Sequence, residues 1–371
     1  MSIYQQFCRE QYDAQGNLNA FCLQYPDNYN FGYDVVDAIA DKTPQKIALV
    51  WCNTRGDEQI FNFGDLRRLS NQAANALKAR GVKKGDAVLV MLKRHFEYWF
   101  VAVALHKLGA VMAPVTHMLT GDDISYRCRA GKIKTVVCTC EDDVPSRFLR
   151  VKAESGIENI WTIRQSIPGC LNLTEEMKTC SWYLPRVETL ASEPILAYFT
   201  SGTTGYPKGV IHSHSYSLAH IVTAKYWQRA AEDGLHFTVA ETGWGKASWG
   251  KIYGQWLVGS AVMVFDFDNF DSRQLMGVIN RYKVTTFCAP PTIYRYLVKT
   301  GLVEMPSLRH VSTAGEPLNP EVFSQFLDAT GLFIMEGYGQ TETTPLLANL
   351  DRMPAKAGSM GKPTPLYRVA L

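Results

Sequence analysis

A layered α/β fold, with mostly parallel sheets flanked by helices, is what this sequence predicts, and three observations predict it. From about residue 45 onward, short strand-like runs alternate with longer helix-like runs, the pattern of α/β layers. Several of the short runs, such as 194–199 (Pro-Ile-Leu-Ala-Tyr-Phe), are apolar almost throughout and read as buried strands. The 371 residues are 46% hydrophobic and 20% charged, enough for a large core shared among two or three compact units.

The elements follow in order. Residues 1–45 are polar and aromatic without a strong period. Residues 47–51 form a strand, with 59–63 as its hairpin mate across the turn Arg55-Gly56-Asp57. Asp65 stands where a helix N-cap belongs. Leu66, Leu69, Ala73, Ala76, Leu77 and Ala79 then recur at helical spacing, and Gly81 closes the helix. Residues 86–91 are the next strand. The longest apolar stretch, 98–115, is interrupted by His106 and Lys107, which predicts a buried helix and turn rather than a membrane span. Residues 135–139 form a strand, and 141–190 carry no clear motif. A junction is expected near 190, giving one α/β sub-domain over 1–190 and a second over 191–371. Beyond it lie a strand at 261–265 and a helix at 271–282 with Leu275, Val278 and Ile279 on one face. A strand at 285–289 ends at Pro290-Pro291, and helices occupy 292–300 and 321–329, the last closed by Gly331.

Bulk chemistry excludes some classes of partner. A net charge of +3 is too small to argue for nucleic acid or an anionic membrane surface. Nine cysteines, an odd number without a C-x-x-C pair, favour reduced thiols over a disulfide framework, and a cytoplasmic location is the expectation. The first residues lack the charged-then-apolar plan of a signal peptide. The oligomeric state is left open.

Chemistry concentrates in a few strings. After the strand at 194–199 comes Thr200-Ser-Gly-Thr-Thr-Gly-Tyr-Pro-Lys-Gly209. Glycines allow close backbone approach, and successive N–H groups with hydroxyls form a concavity suited to phosphate oxygens. Lys208 adds a mobile positive charge. The spacing is not that of the Walker loop, which needs lysine directly after its second glycine. A second string is Ser312-Thr-Ala-Gly-Glu-Pro-Leu318, where small residues at a strand end leave room for a flat ring. A third is Met335-Glu-Gly-Tyr-Gly-Gln-Thr-Glu-Thr343. There Tyr338 offers a ring face, Thr341 a donor to a phosphate oxygen, and Glu342 a hard oxygen ligand for Mg²⁺. A fourth, less specific, is Glu241-Thr-Gly-Trp-Gly-Lys-Ala-Ser-Trp-Gly250, in which Trp244 reads as a pocket wall or gate, with an ordinary core tryptophan nearly as good a reading. His212 and His214 have a spacing compatible with metal, but read better as structural or substrate-side residues.

Together these strings resemble the AMP-forming acyl-CoA synthetases of the adenylate-forming superfamily. The amino-terminal runs Phe63-Gly-Asp-Leu, Gly81-Val-Lys-Lys-Gly-Asp and Leu108-Gly-Ala-Val-Met-Ala-Pro114 are similar to the same group. The resemblance implies the large-domain fold of that superfamily, with the phosphate-loop and adenine-binding segments in the second sub-domain. It implies ATP, Mg²⁺ and coenzyme A as ligands, with a small carboxylic acid as substrate. Nucleotide-binding positions implied by it are Thr200, Ser201, Gly202, Thr203, Thr204, Gly205, Tyr206, Pro207 and Lys208. Gly315, Glu316, Pro317, Glu336, Gly337, Tyr338, Gly339, Gln340 and Thr341 complete that set. Lys208, Thr341 and Glu342 are the implied catalytic residues, with Glu342 as metal ligand, and Trp244, Gly315 and Gly337 face the acid.

The implied reaction is attack of a carboxylate on the α-phosphorus of ATP, release of pyrophosphate, and transfer of the acyl group to coenzyme A. A short- or medium-chain or aromatic acid is the expected type. Two alternatives stay open: an adenylation domain that loads a carrier-protein thiol, and a non-catalytic nucleotide-binding module. The family's small C-terminal domain, with its catalytic lysine, has no counterpart in these residues, so this chain is expected to bind ATP and acyl-adenylate with impaired catalysis and without the thioester step.

Overall fold

The structure, a computed structural model, describes residues 2–200 and 207–370. Two large sheets dominate the described residues, one of seven strands and one of nine, with helices packed on them. Most neighbouring strands within both sheets are parallel, with antiparallel pairs towards the ends. Parallel strands are covered on both faces, which is why Ala87–Met91 and residues 261–265 of the strand Ala261–Asp266 are continuous apolar runs.

The first sheet runs from Lys208–Ser213 through Pro194–Thr200, Val111–Pro114 and Ala87–Met91 to Thr135–Cys138 and beyond. The second carries Ile334–Tyr338, His310–Thr313, Thr286–Ala289, Leu235–Thr238 and Ala261–Asp266 side by side, then Ile47–Asn53 and Glu58–Asn62. Each sheet therefore takes strands from both sides of position 190. The phosphate-loop strand belongs with the amino-terminal strands, and the hairpin at 47–62 belongs with the carboxyl-terminal ones. A linear division at 190 does not follow the sheets.

Local corrections have physical reasons. The N-cap of helix Phe63–Ala79 is Asn62, not Asp65: its side chain accepts from Asp65 N at 2.8 Å, and Asp65 returns the bond to Asn62 N at 3.3 Å. Asp65 is the third residue of a capping box, a position as acid-rich as the cap itself. The apolar stretch at 98–115 is a helix, Glu97–Leu108, and then a strand, Val111–Pro114, rather than a turn alone. His106 and Lys107 are buried on that helix. Lys107 Nζ is held by Asp37 at 2.6 Å, Asn71 at 2.7 Å and Ser70 at 3.0 Å, so its charge is partnered. The region 141–190 holds two helices, Val144–Ser155 and Leu173–Thr179, and two strands, Asn159–Thr162 and the short Leu171–Asn172. Residues 8–23 form an antiparallel hairpin, pinned by Glu10, which accepts from Lys225 Nζ at 2.8 Å.

Five buried histidines set an acid limit on stability. Burial pushes His106, His220 and His236 down to about 3, and His214 and His310 down to about 4. In the unfolded chain each protonates near 6.5, so below that pH the unfolded state takes up more protons and stability falls. The window is pH 6.5 down to about 3, with His214 and His310 levelling off near 4. The urea midpoint at pH 5 is expected to lie below that at pH 7 by an amount equivalent to at least ~2 kcal/mol. An unchanged midpoint contradicts the neutral, buried state of these rings.

Candidate active site

The site residues converge because of where the parallel strands end. In open α/β sheets, ligands bind at the carboxyl ends of the strands. Here Val115 and Thr116 follow Val111–Pro114, and Glu241 to Gly245 follow Leu235–Thr238. Ala314 and Gly315 follow His310–Thr313, and Gly339 to Thr341 follow Ile334–Tyr338. Two cavities open among these loops. The smaller, about 420 Å³, is lined by Thr200, Pro207, Tyr198, Arg127, Trp244 and Thr341, among others. The larger, about 770 Å³, is lined by Gly315, Glu316, Gly339, Gln340, Lys246 and Phe270, with Trp244, Gly245 and Thr341 shared between the two. Trp244, Gly245 and Thr341 therefore form the partition.

The two ends of the phosphate loop lie together. Thr200 closes one strand and Lys208 opens the next, as a directly opposed antiparallel pair. Residues 201–206, with six of the expected phosphate-binding positions (Ser201, Gly202, Thr203, Thr204, Gly205 and Tyr206), lie outside the described residues. The Pro207 carbonyl accepts from Tyr126 Oη at 3.2 Å, and Lys208 is exposed. The return strand touches the third motif directly, since His212 Nε2 lies 2.7 Å from the Thr341 carbonyl oxygen.

The other expected residues divide into those at the cavities and those behind them. Gly315 has φ of +108°, a conformation that favours glycine, and its Cα faces open space at the larger cavity. Glu316 accepts from Thr292 Oγ1 at 2.8 Å, while Pro317 lines a separate small pocket with Thr292 and Arg295. Three of the expected residues stand away from the two cavities. Glu336 is buried, with its carboxylate accepting from Leu318 N at 3.4 Å and pushed up by burial, so it supports the loop at 315–318 from beneath. Gly337 lines neither cavity: a Cβ there would stand 2.7 Å from the Trp227 ring, so it is a close-packing position. Tyr338 is 38% exposed, lines neither cavity, and accepts from Gln340 Nε2 at 3.3 Å. Glu342 is exposed and, among the described residues, has no hydrogen-bond or ion-pair partner. Trp244 is 56% exposed, so it is a wall of both cavities and not a core tryptophan.

Sequence reasoning gave no role to several residues that build the site. Glu241 is buried and accepts from Thr116 Oγ1 at 3.0 Å and from His117 N at 3.3 Å, docking the Trp244 loop on the first sheet. Lys246 Nζ donates to the Ala314 carbonyl at 2.8 Å, and desolvation lowers its pKa. Arg94 lines the larger cavity and lies over the Phe267 ring at 4.2 Å. Glu241 and Lys246 stand inside the fourth string, but their partners are distant in sequence.

Comparisons with known proteins place the chain in a family and a fold. The model of the family described as AMP-binding enzyme matches residues 36–371. Human acyl-coenzyme A synthetase ACSM4, mitochondrial, is 39% identical over 346 residues, covering 91% of this chain and 60% of that protein. Human acyl-coenzyme A synthetase ACSM3, mitochondrial, is 35% identical over 363 residues, covering 95% of this chain and 61% of that protein. The chain thus spans about three fifths of the length of the curated relatives it matches. Among solved structures, a Brucella canis acyl-CoA synthetase superposes with a TM-score of 0.84 at 26% identity, over 93% of this chain and 64% of that one. The anthranilate CoA ligase AuaEII, with a TM-score of 0.83 at 23% identity over 91% of this chain and 65% of that one, shares the fold. The relatives correct one expectation: they are mitochondrial enzymes, which overturns the cytoplasmic location inferred from the cysteines. All nine cysteines are free, and free thiols separate reducing from oxidising surroundings without telling one reducing compartment from another. With its model matched across the two sheets and the loops between them, the chain belongs to the AMP-binding enzyme family.

Proposed function

We propose that this chain supplies the nucleotide- and acid-binding part of an AMP-forming acyl-CoA synthetase, activating a carboxylic acid as its acyl-adenylate. The observation that carries the reading is one shared wall: Thr200 and Pro207, from the two ends of the phosphate loop, line the same cavity as Thr341. That cavity meets the larger one across Trp244, Gly245 and Thr341. The names of the relatives point to the same chemistry.

In this reading the α-phosphate lies at the partition. The Thr341 hydroxyl donates to it, and Lys208 and the loop N–H groups bear on the β- and γ-phosphates. Both reactants are anions, so approach of the carboxylate requires the phosphate charge to be offset, and donors fixed in advance do this at least cost. Glu342 fits a Mg²⁺ ligand by its chemistry: an exposed, unpartnered carboxylate next to the phosphate site, suited to an ion otherwise bound by phosphates and water. Among the described residues no group of three or more acidic, histidine or cysteine side chains could hold a metal, so phosphate oxygens would complete the shell. When bound, Mg²⁺ supplies charge neutralisation on the phosphates. Coenzyme A enters as the thiol that displaces AMP.

The larger cavity, with Phe267, Phe270, Ile293 and Trp249 on its walls, suits the acyl group of a medium-chain or aromatic acid. Replacing Trp244 by alanine removes the largest side chain of the partition. It is expected to shift kcat/KM about tenfold towards bulkier acids in a series from butyrate to phenylacetate and decanoate; an unaltered preference order contradicts the placement of the acid. Acid-dependent exchange of labelled pyrophosphate into ATP tests the proposal itself, and no exchange with any acid of the series would remove it. Formation of acyl-CoA from free coenzyme A, assayed on a protein that also carries the family's C-terminal domain, separates this reading from a carrier-protein acceptor.

A further inference from the structure

The mechanism above leaves His212 without a task, and its surroundings give it one. The imidazole is 7% exposed. Its Nε2 lies 2.7 Å from the carbonyl oxygen of Thr341, and a carbonyl only accepts, so Nε2 carries the proton and donates. Tyr216 stacks on the ring at 3.8 Å between centroids and 19° between planes, and Tyr198 meets it edge-on at 6.5 Å. The ring is thus held in plane and has no freedom to swing away. Desolvation lowers its pKa, which keeps it in the neutral, donating form near pH 7.

The segment it holds has few other ties. Among the described residues, Thr343 N donates to the Gln340 carbonyl at 3.1 Å and Gln340 N to Thr343 Oγ1 at 3.1 Å, both within the loop itself. Tethers to the rest of the chain lie at its margins, from Leu346 N to the Tyr338 carbonyl and from Thr344 N to Tyr367 Oη. At Thr341 the external bond is that of His212. His212 stands on the strand Lys208–Ser213, which begins at the phosphate-loop lysine. A strand is stiff along its length, so fixing one end of it against Thr341 fixes the other.

We propose that His212 is a positioning residue for adenylate formation: by holding the Thr341 carbonyl it sets the separation between the Thr341 hydroxyl and Lys208, the two groups that must meet one triphosphate. The inference rests on the proposed function and adds a residue that touches neither substrate nor nucleotide. Misplacing a positioned group by about an ångström costs up to ~100-fold in rate, so a sizeable effect on nucleotide affinity is expected from loss of this one bond.

A double-mutant cycle tests it, read as ATP affinity by calorimetry in the presence of Mg²⁺ on the whole chain. His212→Ala is expected to weaken ATP binding about tenfold in the wild-type background and less than about twofold in a Thr341→Ala background. The carbonyl and its bond persist in the second background, but the hydroxyl that the bond aims is gone. His212→Gln, whose amide can donate from a similar position, is expected to recover affinity to within about threefold. A purely structural histidine would weaken binding equally in both backgrounds and lower the melting temperature in proportion. Equal losses, or no loss on the wild-type background, overturn the inference. A wild-type chain that binds no ATP overturns the proposed function and this inference with it.

Discussion

Replacing Glu342 by glutamine is expected to lower acid-dependent exchange of pyrophosphate into ATP by about a hundredfold or more. The substitution keeps size and one oxygen but removes the charge that a hard cation needs. Glu342 is exposed and makes no hydrogen bond or ion pair among the described residues, so the melting temperature should stay close to where it is. Raising the Mg²⁺ concentration should restore part of the lost rate, because a weakened metal site refills by mass action. Lys208→Ala makes the contrast: a comparable fall in rate is expected without magnesium rescue, since an ammonium facing phosphate is not replaced by a metal ion at another position. Equal exchange by wild type and both variants would count against the assigned roles of Glu342 and Lys208.

A second large effect is expected at Gly243, for steric reasons. A Cβ there would stand 2.3 Å from Thr116 N and from the Val115 carbonyl carbon, and 2.6 Å from the Val115 oxygen. These are backbone atoms and cannot turn aside as the end of a side chain can. The loop cannot readily lift either, because Glu241 holds Thr116 and His117, and Thr242 Oγ1 donates to the Lys93 carbonyl. Gly243→Ala is therefore expected to cost about 3 kcal/mol in urea unfolding. What survives should bind ATP poorly, because Trp244 and Gly245, the next two residues, form the partition between the cavities. A variant of native stability and affinity would show that the two sheets are not packed so closely at this point.

Contiguity decided what could be read in advance. The phosphate loop, the Gly315 turn and the Tyr338–Glu342 string are runs of adjacent residues, and their chemistry is visible without knowing the fold. The alternation of strands and helices was equally legible, and the helix Ser272–Arg281 begins after the Asp271 cap, within a residue of expectation. Helix Glu97–Leu108 is buried all round, so it has no polar face and no period to read, only its apolar length. Val144–Ser155 did carry a signal, with Val144, Phe148, Val151 and Ser155 on one buried face, hidden among polar neighbours.

Pairings between distant residues were not legible. Nothing local says that Pro194–Thr200 lies beside Val111–Pro114, or that Ile47–Asn53 joins Ala261–Asp266. The same holds for the Glu241 contacts with Thr116 and His117 and for the bond from His212 to Thr341. Glu336, Gly337 and Tyr338 show the converse limit. They sit in the expected string, yet strand alternation and the packing of Trp227 turn two of them away from the cavities and leave the tyrosine at their margin.

A crystal structure of this chain with ATP, or with a non-hydrolysable acyl-adenylate analogue, addresses the central claim most directly. The α-phosphate is expected within hydrogen-bonding distance of Thr341 Oγ1, with phosphate oxygens along the 200–208 loop and the acyl group passing Trp244 into the larger cavity. Nucleotide bound at any other place, with Thr341 and Lys208 both free of it, would rule out the proposed site.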